Sequence, residues 1–378
     1  MAAIATEHRY PCDQCGAELR FAPGQSVLKC DHCGYEQTIR IAGDGPWAGS
    51  AKPFRELDLT RGLSDDLPAA ASEDVRATNC TNCGAVVEFQ GATHATECPF
   101  CATPLIVDTG SRRMIKPQAL IPFQLNESAA RKNLVTWLGS LWFAPNRLLE
   151  FTRAGRALTG VYVPYWTFDA DTRSRYTGQR GVHYYETRTV TVNVNGKSER
   201  RTEQVQKTRW YPASGKVSRA FDDVLVIAAT SLPARLGEGL EPWDLSGLSP
   251  YDPSFLAGLQ AEGYTIVLAD GHGTGRKKMD AVIHSDVCRD IGGDVQRVDN
   301  IDTDYDRETF KHILLPVWMA AYKYNGKSFR FLVNGQTGEV QGERPWSVWK
   351  ITFAVLGAAI VIGGGLYGYY LYDPGAFQ

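Results

Sequence analysis

The residues in this chain most able to do chemistry are eight cysteines, which occur as four Cys-x2-Cys pairs. They fall into two quartets, Cys12, Cys15, Cys30 and Cys33, followed by Cys80, Cys83, Cys98 and Cys101. Residues 16–29 separate the two pairs of the first quartet, and residues 84–97 separate those of the second, which is the same length. Zinc binds four thiolates tetrahedrally, and two such pairs supply them from two tight turns. The spacing predicts two zinc ribbons, over residues 8–41 and 78–108.

The quartets predict structural zinc ions and not catalytic ones. Four protein thiolates fill the coordination shell and leave no position for the water that a catalytic zinc holds. Gly16, Gly34 and Gly84 each follow the second cysteine of a pair, where left-handed backbone is easily adopted by glycine. Cys101 is instead followed by Ala102. We expect two zinc ions as cofactors, which would supply most of the folding energy of such short modules.

The composition suits a globular protein of two or three domains. The chain has 378 residues, a formal net charge of -2 and 43% hydrophobic residues, so no global charge favours nucleic acid. The N-terminus shows no apolar h-region, which predicts no signal peptide and a reducing compartment, where paired cysteines bind metal. The ninth cysteine, Cys288, is expected to be a small buried hydrophobic residue.

Between and after the ribbons the sequence predicts a linker and then a larger α+β domain. Residues 42–77 are rich in Gly, Pro, Ala, Ser and acidic residues, which indicates a linker with at most a short ordered turn. Residues 115–345 are expected to form a β-rich domain with helices. One helix would begin near Asn126 or Ser128, and another would end at Gly292. The glycine-rich stretch 270–275 is expected to lead into that second helix, and the alternative is a flexible loop.

Two hairpins are predicted in this domain. Asn195-Gly196 lies between alternating β-rich segments, and Asn325-Gly326 does the same further along. Asn-Gly is the strongest short-range signal for a two-residue hairpin turn. Residues 161–166 (VYVPYW) resemble residues 313–318 (ILLPVW), which indicates two related strands or a coincidence.

The C-terminal segment is apolar. Residues 351–371 carry no charge and would extend roughly 30 Å as a helix, the thickness of a bilayer's hydrocarbon core. Tryptophans precede this segment and tyrosines end it, as in aromatic belts. The sequence predicts a transmembrane helix over residues 350–372, in contact with membrane lipid. Arg344 and Lys350 then predict a tail-anchored protein of the inner (cytoplasmic) membrane with its bulk in the cytoplasm. The alternative is a buried core helix.

Charge is segregated within the large domain. Residues 172–219 are mainly basic and residues 222–308 are mainly acidic. Either the two segments complement each other within the domain, or the basic one faces anionic lipid. Residues 78–108 contain no Lys or Arg, and a zinc ion with four thiolates adds negative charge. This argues against nucleic acid and favours a protein partner for the ribbons.

Nothing in the sequence indicates an enzyme. HExxH and GxSxG motifs are absent, and Thr191 and Ala321 stand where a P-loop would need its first glycine. His183, His272, His284 and His312 are scattered along the chain. We therefore expect no catalytic residues. An enzyme hidden in the central domain is the alternative, and it would require a deep pocket with convergent polar groups.

Several segments together resemble a known family. They are CDQCG with CDHCG, CTNCG with CPFC, IPFQL, GVYVPYWTFDA, LLPVWMAAYKYNGKSFRFLVNGQTGEVQGERP and the final apolar span. The chain is similar to the bacterial membrane-associated proteins with a TFIIB-type zinc ribbon. Such proteins are often labelled primosomal protein N′ or replication factor Y helicase, although helicase motor motifs are absent here. The resemblance implies a membrane adaptor whose partners are SPFH-domain or phage-shock-type proteins in envelope stress.

These observations predict an α+β protein with two N-terminal zinc ribbons, a β-rich central domain with helices, and one C-terminal transmembrane helix. The expected function is that of a zinc-ribbon adaptor or scaffold that recruits protein partners. The alternative is a zinc-ribbon protein that binds nucleic acid in replication or transcription.

Overall fold

The computed structural model describes residues 10–39, 56–64, 66–88, 95–101, 103–106, 111–142, 158–194, 197–324, 327–343 and 348–372. The first four-cysteine module has its own small antiparallel sheet in the order β1-β2-β3, formed by Leu19–Ala22, Val27–Cys30 and Glu36–Thr38. Its apolar residues Leu19, Phe21 and Leu28 are buried.

Much of the predicted linker is ordered, so the prediction over residues 42–77 is wrong for its second half. Residues 40–55 lie outside the described residues, but β4 (Leu57–Asp58) and α1 (Leu59–Leu63) follow directly. The Asp58 side chain accepts a hydrogen bond from the Arg61 backbone N–H and caps α1. Leu59 is buried against the large domain. The segment is ordered because it contributes both an apolar contact and a strand to that domain.

The second four-cysteine module is built into the large sheet. A short 3-10 helix (Ala69–Ala71) leads into β5 (Ser72–Asn79), β6 (Val86–Glu88), β7 (Ala95–Glu97), β8 (Pro104–Ile106) and β9 (Ser111–Ile115). Strands β5 and β6 belong to a 12-stranded sheet, while β7 and β8 pair as a separate two-stranded unit. The module therefore shares backbone hydrogen bonds with the central domain.

The central domain begins with β10 (Ala119–Leu120) and α2 (Glu127–Ser140). Asn126 caps α2 as predicted, because its Oδ1 accepts a hydrogen bond from Ala129 N at 2.9 Å. Leu134 and Leu138 form the buried side of this helix. The contacts join α2 to β16 (Lys327–Asn334) and β17 (Val340–Gly342), which form the end of the sheet.

Three long strands form the middle of the sheet: β11 (Thr159–Val194), β12 (Lys197–Ile227) and β15 (Val295–Tyr324). Strand β11 pairs antiparallel with both β12 and β15, and β15 pairs antiparallel with β16. Both predicted hairpins are confirmed, although residues 195–196 and 325–326 lie outside the described residues. The strands are much longer than the hydrophobic pattern predicts, since their outer parts are polar.

The two similar segments pair with each other. Within the β11–β15 ladder, Tyr162 lies opposite Pro316 and Pro164 lies opposite Leu314. Proline cannot donate a backbone hydrogen bond. Pro164 fits in the sheet interior because the second neighbour of β11 changes there, from β14 (Gln260–Gly263) at Tyr162 to β12 at Tyr165.

The remaining elements connect β12 to β15. They are α3 (Ala234–Gly239), 3-10 turns at Leu245–Gly247 and Pro253–Leu256, β13 (Ser249–Pro250) and α4 (Leu268–Ile291). Residues 270–275 are expected to precede the helix, with a flexible loop as the alternative; both are wrong, because these residues lie inside α4. A Cβ on Gly271 would lie 2.5 Å from Trp166, and one on Gly275 would lie 2.7 Å from Phe168. These glycines let the helix approach the sheet closely. Gly292, with φ 66°, ends the helix as predicted.

The segregated charges pair with each other. Arg175 on β11 lies 3.2 Å from Asp302 and 3.6 Å from Asp304 on β15, and Arg219 on β12 lies 2.6 Å from Asp286 on α4. The basic and acidic segments therefore complement each other within the domain. Most of these groups are exposed, so each pair adds at most about 1 kcal/mol to stability.

The last helix, α5 (Val348–Tyr372), contains the segment that the sequence predicts to cross a membrane. Among the residues that the structure describes, no helix is both long enough and apolar enough to cross a membrane. The structure therefore does not support the predicted transmembrane helix over residues 350–372. It likewise does not support the lipid contact, the tail anchor or the single-pass inner-membrane localisation.

The close packing of α4 on the sheet can be tested with two glycines of the same helix. Gly271→Ala should destabilise the protein by about 1–3 kcal/mol, because its new methyl group would overlap Trp166. Gly273 has no atom within 4 Å of an added Cβ, so Gly273→Ala should stabilise the helix by about 0.5–1 kcal/mol. Denaturant unfolding measures both. Equal effects would contradict this packing.

Candidate metal centres

The first quartet brings four sulfur atoms together at one point. Cys12 Sγ lies 3.5 Å from Cys33 Sγ, and Cys15 Sγ lies 3.5 Å from Cys30 Sγ. All four sulfur atoms lie within 4.8 Å of one another. A tetrahedron of thiolates about 2.3 Å from zinc has sulfur atoms about 3.8 Å apart. Disulfides would require about 2.05 Å, so the four residues are free cysteines arranged as a metal centre requires.

The second quartet has the same arrangement. Cys80 Sγ lies 3.5 Å from Cys101 Sγ, and Cys83 Sγ lies 3.6 Å from Cys98 Sγ. These four sulfur atoms also lie within 4.8 Å of one another. Both clusters could therefore hold a metal ion, and the all-thiolate donor set suits zinc.

Backbone hydrogen bonds shape the turns that present the cysteines. The N–H groups of Gly16, Gly34 and Gly84 donate to the carbonyl oxygens of Cys12, Cys30 and Cys80 at 2.8, 2.9 and 2.8 Å. The three glycines have φ of 74°, 78° and 75°, which confirms the predicted left-handed backbone. In the fourth turn, Cys98 N donates to Thr103 O at 2.8 Å, and Thr103 Oγ1 lies 3.1 Å from Cys101 Sγ.

Local hydrogen bonds give each centre one cysteine with a lowered pKa and others with raised pKa values. The backbone N–H of Cys33, with a weaker contribution from that of His32, lowers the pKa of Cys30 to about 6. The contact between Cys83 Sγ and Cys98 Sγ lowers the pKa of Cys83 to about 5 and raises the pKa of Cys98. Thiolates are the form of cysteine that binds metal, so each cluster contains one cysteine whose lowered pKa favours metal binding.

The two centres lie over opposite faces of the central sheet. The core around Cys12 and Cys30 is continuous with Tyr162, and the core around Cys80, Cys98 and Cys101 is continuous with Val161 and Val163. Successive residues of a strand point to opposite faces. The same end of β11 is therefore covered by one centre on each face.

The centres differ in exposure. In the first, Cys12 and Cys30 are buried while Cys15 and Cys33 are exposed. In the second, Cys80, Cys98 and Cys101 are buried and Cys83 is partly buried. The second module also pairs β6 with β14, with Val87 opposite Glu262. It is thus part of the core, whereas the first lies at the surface.

The first module is nevertheless fixed to the central domain. Phe21 N donates to Ala257 O at 2.9 Å, and the rings of Phe21 and Phe255 meet edge to face at 5.4 Å. Gly24 N donates to Phe123 O at 2.8 Å. These contacts hold one side of the module and leave the turns with Cys15 and Cys33 in solvent.

A third polar cluster, which the sequence did not indicate, surrounds the buried amine of Lys311. Its Nζ lies 2.6 Å from Asp223, 3.2 Å from Asp169 and 3.2 Å from Glu56. Desolvation by burial raises the pKa of Asp169 in this cluster. Glu56 is ordered beside β4, so the cluster ties the segment before α1 to β11 and β15. Lys311 is only 1% exposed, so its charge requires these carboxylates.

The four histidines of the central domain do not converge on a site. His183 Nδ1 contacts Thr208 Oγ1, His272 Nε2 contacts Glu308, and His284 Nδ1 lies 3.7 Å from Cys288 Sγ. Burial lowers the pKa of His312 to about 4, and its Nδ1 contacts Ile115 O at 2.8 Å. Cys288 is expected to be buried, but the structure shows it partly exposed.

A cavity of about 550 Å³ lies beside β9 and the start of α4. Its walls are mostly apolar, with Ser72, Arg113 and Tyr264 as polar lining residues. Arg113 Nε donates to Ser72 Oγ at 3.0 Å. None of the eight cysteines lines this cavity. That the chain is not an enzyme stays a prediction.

The chain is similar to the "Uncharacterized protein YdjG" of Bacillus subtilis, with 25% identity over 371 residues, covering 94% of this chain and 98% of the relative. No family model matches the chain. No solved structure gives a significant match. The similarity thus extends over nearly the whole of both chains and assigns no function.

The two centres should respond differently to loss of a ligand. Cys15→Ser and Cys98→Ser should each reduce the zinc content from about two ions per chain to about one. Cys98→Ser should lower the thermal unfolding midpoint further, because Cys98 lies within the central core and Cys15 is exposed. Elemental analysis and calorimetry measure both effects, and Cys288→Ser, outside the quartets, is the control. Equal losses of stability would contradict the assigned difference.

The Lys311 cluster predicts a pH-dependent loss of stability. Lys311→Met should cost about 3 kcal/mol at pH 7, because it leaves partly buried carboxylates without a cation. Without the lysine, the carboxylate pKa values rise above their unfolded values, so the folded state binds more protons. The deficit should therefore shrink as the pH falls below about 5.

Urea unfolding between neutral and acidic pH measures this deficit. Arg175→Gln is the control, because it removes only the exposed ion pairs with Asp302 and Asp304 and should cost about 1 kcal/mol or less at any pH. A Lys311→Met deficit that stayed constant with pH would exclude an electrostatic origin.

Proposed function

We propose that this chain is a zinc-dependent protein-interaction scaffold in which both metal ions are structural. The exposure of Cys15 and Cys33 on a module that is otherwise fixed to the domain carries this proposal. A rigid, solvent-exposed pair of turns is suited to docking, because little conformational entropy is lost when a partner binds. The second centre is buried and stabilises the central domain, to which the first module is attached.

Charge favours a protein partner over nucleic acid. In the described residues 10–39, both cations are paired: Arg20 lies 3.5 Å from Asp31, and Lys29 lies 2.8 Å from Glu36. Binding to a phosphate backbone requires clustered cations whose counterions are released. The module instead offers mixed charges around a centre that four thiolates make negative. By the family resemblance, SPFH-domain or phage-shock-type proteins acting in envelope stress are the candidate partners.

A matched pair of variants tests this proposal without touching the ligands. Gln14 and Asn82 are both exposed and occupy the same position within their Cys-x2-Cys turns. Gln14→Arg should reduce partner capture about tenfold or more, equivalent to at least about 1.4 kcal/mol, while Asn82→Arg should leave it unchanged. Zinc content should stay the same in both.

The measurement is quantitative mass spectrometry of proteins that co-purify with the full chain. Retention of every partner by Gln14→Arg would contradict a docking role for the first module. Salt-dependent binding of the wild-type chain to DNA, strengthened by the added cation of Gln14→Arg, would instead support the nucleic-acid alternative.

A further inference from the structure

The cavity of about 550 Å³ beside β9 and the start of α4 adjoins a second cavity of about 480 Å³. Both cavities are lined by the same four residues, Arg113, Met114, Tyr264 and Val267. Ligand sites for small molecules are clefts of roughly 300–1,000 Å³, so each cavity is large enough to hold a ligand. We call the two adjoining cavities the β9 groove.

The larger cavity offers an apolar surface to a ligand. Leu67, Ile115 and Leu268 contribute to its walls. Leu63 and Val267 also line it, and they remain 45% and 52% exposed. Burial of such side chains against an apolar ligand would remove them from water, which is favourable roughly in proportion to the area covered.

Arg113 is the one charged residue that lines either cavity. Its Nε donates to Ser72 Oγ at 3.0 Å, which holds the guanidinium beside the groove. Within the described part of the chain no carboxylate forms an ion pair with Arg113, and this includes Asp74, which lies opposite it in the β5–β9 register. A guanidinium carries five N–H donors in a fork that matches a carboxylate, so an anionic group is the partner that suits it.

The start of α4 adds to the preference for an anion. Leu268 and Ala269, in its first turn, line the larger cavity, and no side chain caps the helix at Val267. The first N–H groups of a helix have no partner within the helix and carry partial positive charge. Asp270 of the same turn lines neither cavity. The helix therefore supports the site that Arg113 and the apolar walls define.

We propose that the β9 groove binds a free organic anion with an apolar body, such as a medium-chain carboxylate. The anionic group would bind the Arg113 guanidinium, and the apolar body would lie in the larger cavity against Leu63 and Leu268. This is a small-molecule site in addition to the docking surface at Cys15 and Cys33. None of those exposed cysteines lines the groove.

The charge of the ligand is tested with octanoate and 1-octanol, which carry the same apolar chain. Isothermal titration of the full chain should show octanoate binding at least tenfold tighter than 1-octanol. Arg113→Gln should weaken octanoate at least tenfold and leave 1-octanol unchanged. Arg175→Gln is the matched control, because Arg175 lines neither cavity and its loss should leave both dissociation constants unchanged. Equal effects of Arg113→Gln and Arg175→Gln would overturn the proposal.

The apolar part of the ligand is tested with hexanoate, octanoate and decanoate. Each added CH₂ group should tighten binding about fourfold, because it removes further apolar surface from water. Affinity that does not change with chain length would mean that Arg113 binds anions without the cavity, which would overturn the proposal. It would also be overturned by the absence of saturable decanoate binding up to about 1 mM.

Two valines of α4 test the position of the ligand. Val267→Asp would place a carboxylate at the groove and should weaken decanoate at least tenfold, while aspartate, as a favoured N-cap residue, preserves the helix. Val282 is also exposed but lines neither cavity, so Val282→Asp should leave decanoate binding unchanged. Circular dichroism checks that both variants fold. Undiminished binding by a folded Val267→Asp variant would place the ligand elsewhere and overturn the proposal.

Discussion

The antiparallel pairing of β11 with β15 is the interaction on which the rest of the structure depends. This ladder runs from Thr159 opposite Met319 to Gly181 opposite Val295, and its buried end has a four-cysteine centre over each face. Because neighbouring residues of one strand point to opposite faces, Val161 and Tyr162 belong to the cores around different centres. Each centre therefore stabilises the same pair of strands from one side.

The two centres have one ligand chemistry and different positions in the fold. The second lies in a module whose strands continue the main sheet, so its metal and the core should be thermodynamically linked. The first has its own three-stranded sheet, held to the domain by contacts such as that of Phe21 with Phe255. The two copies of the internal repeat therefore have different roles. The second stabilises the core, and the first lies at the surface.

Sequence reasoning is sufficient where a local pattern determines the structure, and it fails where distant contacts do. Cysteine spacing predicts both clusters, and Asn126 and Gly292 mark helix ends that the structure confirms. The glycines of residues 270–275 indicate a loop by local pattern, because their partners, Trp166 and Phe168, are about a hundred residues away. The Lys311 cluster escapes prediction for the same reason, since Glu56 lies in a segment whose composition indicates a linker. The apolar C-terminal pattern correctly predicts a helix. The membrane span that it also predicts is not supported, because no helix among the described residues is long and apolar enough to cross a membrane.

The central claim, that both quartets are closed and structural zinc centres, is tested most directly by zinc K-edge X-ray absorption of the purified chain. The geometry predicts four sulfur ligands at about 2.3 Å per zinc and no nitrogen or oxygen ligand, at about two zinc ions per chain. A spectrum that requires a nitrogen or oxygen ligand at either zinc, or a chain that purifies without zinc and remains folded, would contradict it.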